Sequence, residues 1–86
     1  MPEVSRFFGI IIRMYWNDHL PPHFHALYGD FEALIELDSL AIYRGDLPRR
    51  AQALVNEWAR LHQAELQENW ERARSLEPLS SIQPLE

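Results

Sequence analysis

The chain has no cysteine and no lysine among its 86 residues. Without cysteine there can be no disulfide, no zinc–thiolate centre and no thiolate nucleophile. The absence also fits a reducing compartment. Without lysine there is no Schiff-base chemistry, and all eight basic residues are arginine. Glycine is scarce, at three residues, and no glycine-rich phosphate loop or strand–turn–helix nucleophile elbow can be built from them. Long hydrophobic runs are missing too. The apolar run from Phe7 to Ile12 is interrupted by Gly9, is too short to span a bilayer, and precedes no small-residue cleavage site. These absences read as a soluble, cytoplasmic protein with no membrane association.

A chain of this length makes one domain. Domains this small bury only about 60–65% of their unfolded surface, so support from a partner or a second copy is expected. The net charge of −5 weighs against nucleic acid as that partner, because nucleic-acid binders carry a basic field. A local basic patch stays open.

The most informative stretch is Asn17-Asp18-His19-Leu20-Pro21-Pro22-His23-Phe24-His25, which leads on to Tyr28-Gly29. It holds three of the four histidines. Its adjacent prolines remove two amide donors and stiffen the loop that carries Asp18 and His19. Before it, Phe7 to Trp16 reads as one strand, apolar on both faces. After it, His23–Tyr28 and Phe31–Leu37 flank the turn signal Gly29-Asp30 and form a hairpin. The turn sets the register: Tyr28 faces Phe31, Ala26 faces Ala33 and Phe24 faces Ile35 on the core side. On the outer side Leu27 faces Glu32, His25 faces Leu34 and His23 faces Glu36. A one-residue slip would drive charge into the core. Asp38-Ser39 reads as a second turn. It returns Leu40–Arg44 with Ile42 opposite Ile35 and Tyr43 opposite Leu34.

Gly45-Asp46-Leu47-Pro48 opens a helix, with Asp46 or Leu47 as cap and Pro48 in the first turn. Apolar residues recur at helical spacing to Ala73. A helix from Pro48 to Arg74 would span roughly 40 Å, against about 20 Å for a six-residue strand. It must overhang the sheet or break near Gln63. The expected fold is α+β: a four-stranded, mainly antiparallel sheet (residues 1–47), one long helix on one face (48–74) and an extended tail (75–86).

Three histidines within seven residues beside a stiff loop mark a candidate site. His23 and His25 project from the same side of a strand. With His19, Asp18 or Glu36 they could supply nitrogen and oxygen ligands for a divalent metal such as zinc, iron or nickel. The plainer alternative pairs His23 with Glu36 and packs His25 beside Leu34. An acid–base reading uses Asp18 with His19 or His23 as catalytic residues and an arginine such as Arg13 to hold an anion. His62 reads as a core histidine. An overhanging helix would leave Leu66 and Trp70 in need of cover, and the outer sheet face would leave Leu34 and Tyr43 bare. These four are the expected partner-binding residues, for another small protein or a second copy.

Ser5-Arg6-Phe7-Phe8-Gly9-Ile10 and the NDHxPPHFHxxYG core from Asn17 to Gly29 resemble the bacterial family called domain of unknown function 4160. So do Gly45–Ala51, Glu57-Trp58-Ala59, Asn69-Trp70-Glu71 and Ile82-Gln83-Pro84-Leu85. Leu20 stands where a polar residue is usual, and Ser80-Ser81 where basic residues are usual. The resemblance implies a small cytosolic protein, often encoded beside a protein of the domain of unknown function 2442 type, in pairs read as toxin–antitoxin modules. The expectation it supports is a protein-interaction component on the toxin side of such a module. The alternatives are a metal-binding hydrolase or nuclease domain acting without an obligatory partner, and a structural homodimer.

Overall fold

The computed structural model describes residues 2–86. Five strands form one antiparallel meander in sequence order: β1 (Glu3–Phe7), β2 (Ile10–Arg13), β3 (His23–Tyr28), β4 (Phe31–Glu36) and β5 (Ile42–Gly45). Two helices follow, α1 (Arg49–Leu61) and α2 (Gln63–Arg74). The fold is α+β as expected, with five strands rather than four and two helices rather than one long one.

The extra strand comes from the first segment, which folds back on itself. Phe8 and Gly9 both have positive φ, at 50° and 81°. That is the pattern of a type I′ hairpin turn, whose twist matches the strands it joins. A phenylalanine there gives no turn signal in sequence, because non-glycine residues seldom adopt it. The β3–β4 ladder has the register expected from Gly29-Asp30, with His23↔Glu36, Phe24↔Ile35, His25↔Leu34 and Tyr28↔Phe31. At β5 the expectation fails by one residue. Ile35 pairs with Ile42, but Leu34 pairs with Arg44, not Tyr43, and a bulge lies between.

Phe24, Ala26, Ala33 and Ile35 form the buried floor under α1, which contributes Ala51, Val55, Trp58 and Ala59. Trp58 packs on Phe7 and Phe24 at ring-centroid distances of 5.4 and 5.9 Å. Pro48 itself occupies the N-cap without a side-chain cap bond, while Asp46 accepts from the Leu47 amide.

The helix breaks at His62, whose φ of −127° leaves the helical region. His62 is therefore no core histidine; it joins two helices, and its ring bonds Glu65. An unbroken helix of roughly 40 Å would outrun the molecule, whose longest extent is 33 Å. Turning the chain instead buries Leu66, Trp70 and Ala73. Burying Leu66 and Trp70 is worth roughly 1.5–3 kcal/mol each, whereas each forgone backbone bond is worth only about 0.5–1.5 kcal/mol net. Gln63 ties the new start to the end of β4 by donating to the carbonyls of Leu37 and Asp38. The far end of α2 meets the Asn17 loop: Asn17 N–H donates to Ala73 O, and Trp16 Nε1 donates to Glu77 O at 2.8 Å.

The tail packs on its own domain. Ile82 is buried and its amide donates to Val4 O. Asn69 donates to Ser80 O and accepts from Ser80 N–H, and Trp58 Nε1 donates to Gln83 O.

Candidate metal centre

Two devices bring the centre together. Strand alternation puts His23 and His25 on the outer sheet face. The Asn17–Pro22 loop, pinned at Asn17 and Trp16 by the end of α2, then carries Asp18 to them. Asp18 Oδ2 lies 2.9 Å from His23 Nε2 and 3.1 Å from His25 Nε2. Among the described residues, Asp18, His23 and His25 form the one group of three or more with potential ligand atoms within 4.8 Å of one another.

The other nitrogen of each ring decides the protonation. His23 Nδ1 sits 2.7 Å from the carbonyl oxygen of Pro21. A carbonyl can only accept, so Nδ1 carries a proton, and Nε2 is the nitrogen that offers a lone pair when the ring is neutral. That Nε2 is buried and close to Asp18, yet off the line of a hydrogen bond, and it has no other partner. His25 has Glu32 Oε2 at 3.1 Å from Nδ1 and Asp18 Oδ2 at 3.1 Å from Nε2. A neutral imidazole has one proton for these two carboxylates. A cation held by the cluster would satisfy the acceptors left over.

Burial alone would push the Asp18 carboxyl up. The hydrogen bonds from His25 and from the His19 amide outweigh it, helped by the charges of His23 and His25, and hold the carboxyl below its ordinary range. Tyr43 is shifted upward, first by burial and then by the Asp18 charge, with Arg44 opposing and Glu36 adding. It stays a neutral phenol at the rim. Aromatic rings wall the site. Trp70 and Tyr43 lie 5.4 and 5.6 Å from the His23 ring, and Tyr15 lies 4.6 Å from the His25 ring.

Asp18, His23 and His25 of the sequence-derived set thus converge. His19 does not join them. It stacks on His23 at 4.9 Å, mostly exposed, with Nε2 3.7 Å from Asp18 Oδ1. Glu36 pairs with His23 in register, but its carboxylate accepts from Ser39 and lies outside the cluster. Arg13 stands directly across the ladder from His25. Sequence reasoning missed Glu32, the diagonal cross-strand neighbour of His25, although the register contains it. It also missed Trp70 as a wall, which depends on the break at His62.

The expected partner-binding set needs correction. Leu34, Leu66 and Trp70 are buried, at 8%, 0% and 2% exposure; α2 packs Leu66 and Trp70 into the core instead of overhanging the sheet. They offer no surface to another protein. Tyr43 is exposed, and its ring edge borders the His23 site.

A family model described as Domain of unknown function (DUF4160) matches residues 9–71. No curated protein and no solved structure matches the chain.

Proposed function

The chain belongs to the DUF4160 family, and we propose that its Asp18–His23–His25 cluster is a divalent-metal centre of the hydrolytic kind. The observation that carries this reading is the buried, unpartnered His23 Nε2 beside the Asp18 carboxylate. Two imidazoles and one carboxylate are the donor set of catalytic zinc and non-haem iron sites, which leave coordination positions open. Ligand atoms around a tetrahedral ion lie roughly 3.3 Å apart. The separations of 2.9 and 3.1 Å need to open only slightly. Pro21 O on His23 and Glu32 on His25 orient the two rings, as carbonyls and carboxylates do behind metal-binding histidines. A bound ion would supply Lewis-acid polarisation of a substrate oxygen. No helix is long and apolar enough to cross a membrane.

Calorimetric titration of tag-free protein with zinc, nickel and cobalt tests the proposal. One-to-one binding is expected, lost in His25→Ala and in Asp18→Asn. Equal heats from wild type and both variants would end this reading.

A second reading keeps the protein-interaction role of a two-gene module, the toxin side included, and moves its surface. Phe8, Tyr28 and Phe31 are exposed at the hairpin ends. Phe8 and Tyr28 line a cavity of about 150 Å³ with Ile10, Pro48, Arg50, Ala51 and Leu54. An apolar side chain of a small partner protein would fit there. Co-expression with the adjacent gene product is the check. A complex that Phe8→Asn weakens supports it, and separate elution of the two proteins removes it. Asparagine tolerates the positive φ of that turn.

A further inference from the structure

One cross-strand row bears on what such a centre acts on. Arg13 on β2 pairs with His25 on β3, His25 with Leu34 on β4, and Leu34 with Arg44 on β5. Residues directly opposite in an antiparallel ladder share a face. Strands lie about 4.8 Å apart. One guanidinium therefore starts a single strand away from His25, and a second starts two strands away on its other side.

The bulge in β5 contributes to this row. It sets Tyr43 and Arg44 together against Leu34, so both side chains turn toward the outer face. The edge contact of Tyr43 with the His23 ring places that end of β5 beside the centre. A regular ladder would have left Arg44 on the α1 side.

Neither arginine forms a direct ion pair, although Arg13 stands across the ladder from Glu3, whose carboxylate Arg6 binds. The arginine–carboxylate ion pairs among the described residues use Arg6 and Arg72. Arg13 Nε is buried and has no hydrogen-bond partner. Guanidinium groups without a direct carboxylate partner, one with a buried unpaired donor, suit bidentate binding of an oxyanion.

We infer that Arg13 and Arg44 clamp an oxyanion over the Asp18–His23–His25 centre, and that the substrate is a small phosphate ester. This rests on the metal reading above. Asp18, Glu32 and Glu36 lie at the same face, joined by the Glu3–Arg6 pair beside Arg13, so without an ion the carboxylates outnumber the arginines there. A divalent ion reverses the sign of the face, and anion binding is therefore metal-dependent. The overall charge of −5 opposes a long polyanion, which favours a small ester over a nucleic-acid strand.

The test uses full-length protein loaded with cobalt(II), whose visible absorption reports its ligands. Phenyl phosphate is titrated in, with benzoate as the carboxylate arm. A saturable spectral change is expected with phenyl phosphate. Its affinity is expected to fall about tenfold or more in Arg13→Gln and in Arg44→Gln, while cobalt affinity stays within about twofold of wild type. Arg44 is exposed, so that variant remains informative should Arg13→Gln fail to fold. Tight cobalt binding with no response to phenyl phosphate, or with equal responses in both variants, overturns the inference and leaves the metal reading standing. A response to benzoate alone overturns the phosphate assignment. Failure of cobalt to bind at all overturns both.

Discussion

Glu32 Oε2 lies 3.1 Å from His25 Nδ1, on the edge of the ring away from Asp18. The pair is diagonal across the β3–β4 ladder, since His25 stands opposite Leu34 and Leu27 opposite Glu32. With an ion bound, it would hold the His25 proton on Nδ1 and leave the Nε2 lone pair to the metal.

A carboxylate behind a ligating histidine raises its basicity and sets its orientation. Losing one typically lowers metal affinity about 10–100-fold. Glu32→Ala is expected to weaken zinc binding in that range, with a smaller loss for Glu32→Gln, which keeps an acceptor without the charge. Competition against a chromogenic chelator measures both. Wild-type affinity in Glu32→Ala would show that the pair plays no part in binding.

Asp18 gives the metal-free protein an acid-sensitive limb. Its carboxyl is held below the ordinary value of 3.8 because the opposing effect of burial is outweighed by its histidine and amide partners. The charged form is thus favoured in the fold. The stability it contributes is present above the unfolded-state pKa and is lost as pH falls through the depressed folded-state value. Urea midpoints taken from about pH 5 to about pH 2 should fall less steeply in Asp18→Asn than in wild type. Parallel curves would assign the limb to other carboxylates.

Trp70 joins stability to the site. It is buried on α2 with its ring 5.4 Å from His23. Trp70→Ala is expected to cost about 3–5 kcal/mol, as for other large-to-small changes in a core. Trp70→Phe should retain the fold and lose most of the tryptophan quenching produced by copper(II) in the wild type, since this indole adjoins a ligand. Unchanged quenching in Trp70→Phe would place the copper elsewhere.

Gly45 ends β5 with φ at +84°, and a Cβ there would collide with the carbonyl oxygen of Glu32. Left-handed backbone costs other residues about 1–2 kcal/mol before any clash. Gly45→Ala is therefore expected to lose more than that in urea unfolding. It should also weaken zinc binding by displacing the residue that bonds His25. A variant as stable as wild type would mean that the strand end shifts freely.

Much of the centre was legible in the chain itself. Period-two alternation, the Gly29-Asp30 turn and the penalty for burying charge act over a few residues, so they determined the β3–β4 register and the shared face of His23 and His25. The stiff Asp18–Pro22 stretch marked where a third ligand could enter. Long-range packing decided the rest. The Phe8-Gly9 turn needs a positive φ that no local pattern at Phe8 announces. The β5 bulge that brings Arg44 to the outer face follows from how β5 meets β4, not from its own alternation. The break at His62, one of the two outcomes that the helix length left open, carries no proline or glycine. It exists because a straight helix would leave Leu66 and Trp70 in water. Turned back, α2 buries both, walls the histidines with Trp70 and pins the Asp18 loop. Local propensity for helix runs unbroken through that segment, and only the area buried against the sheet end makes the bend the more stable choice.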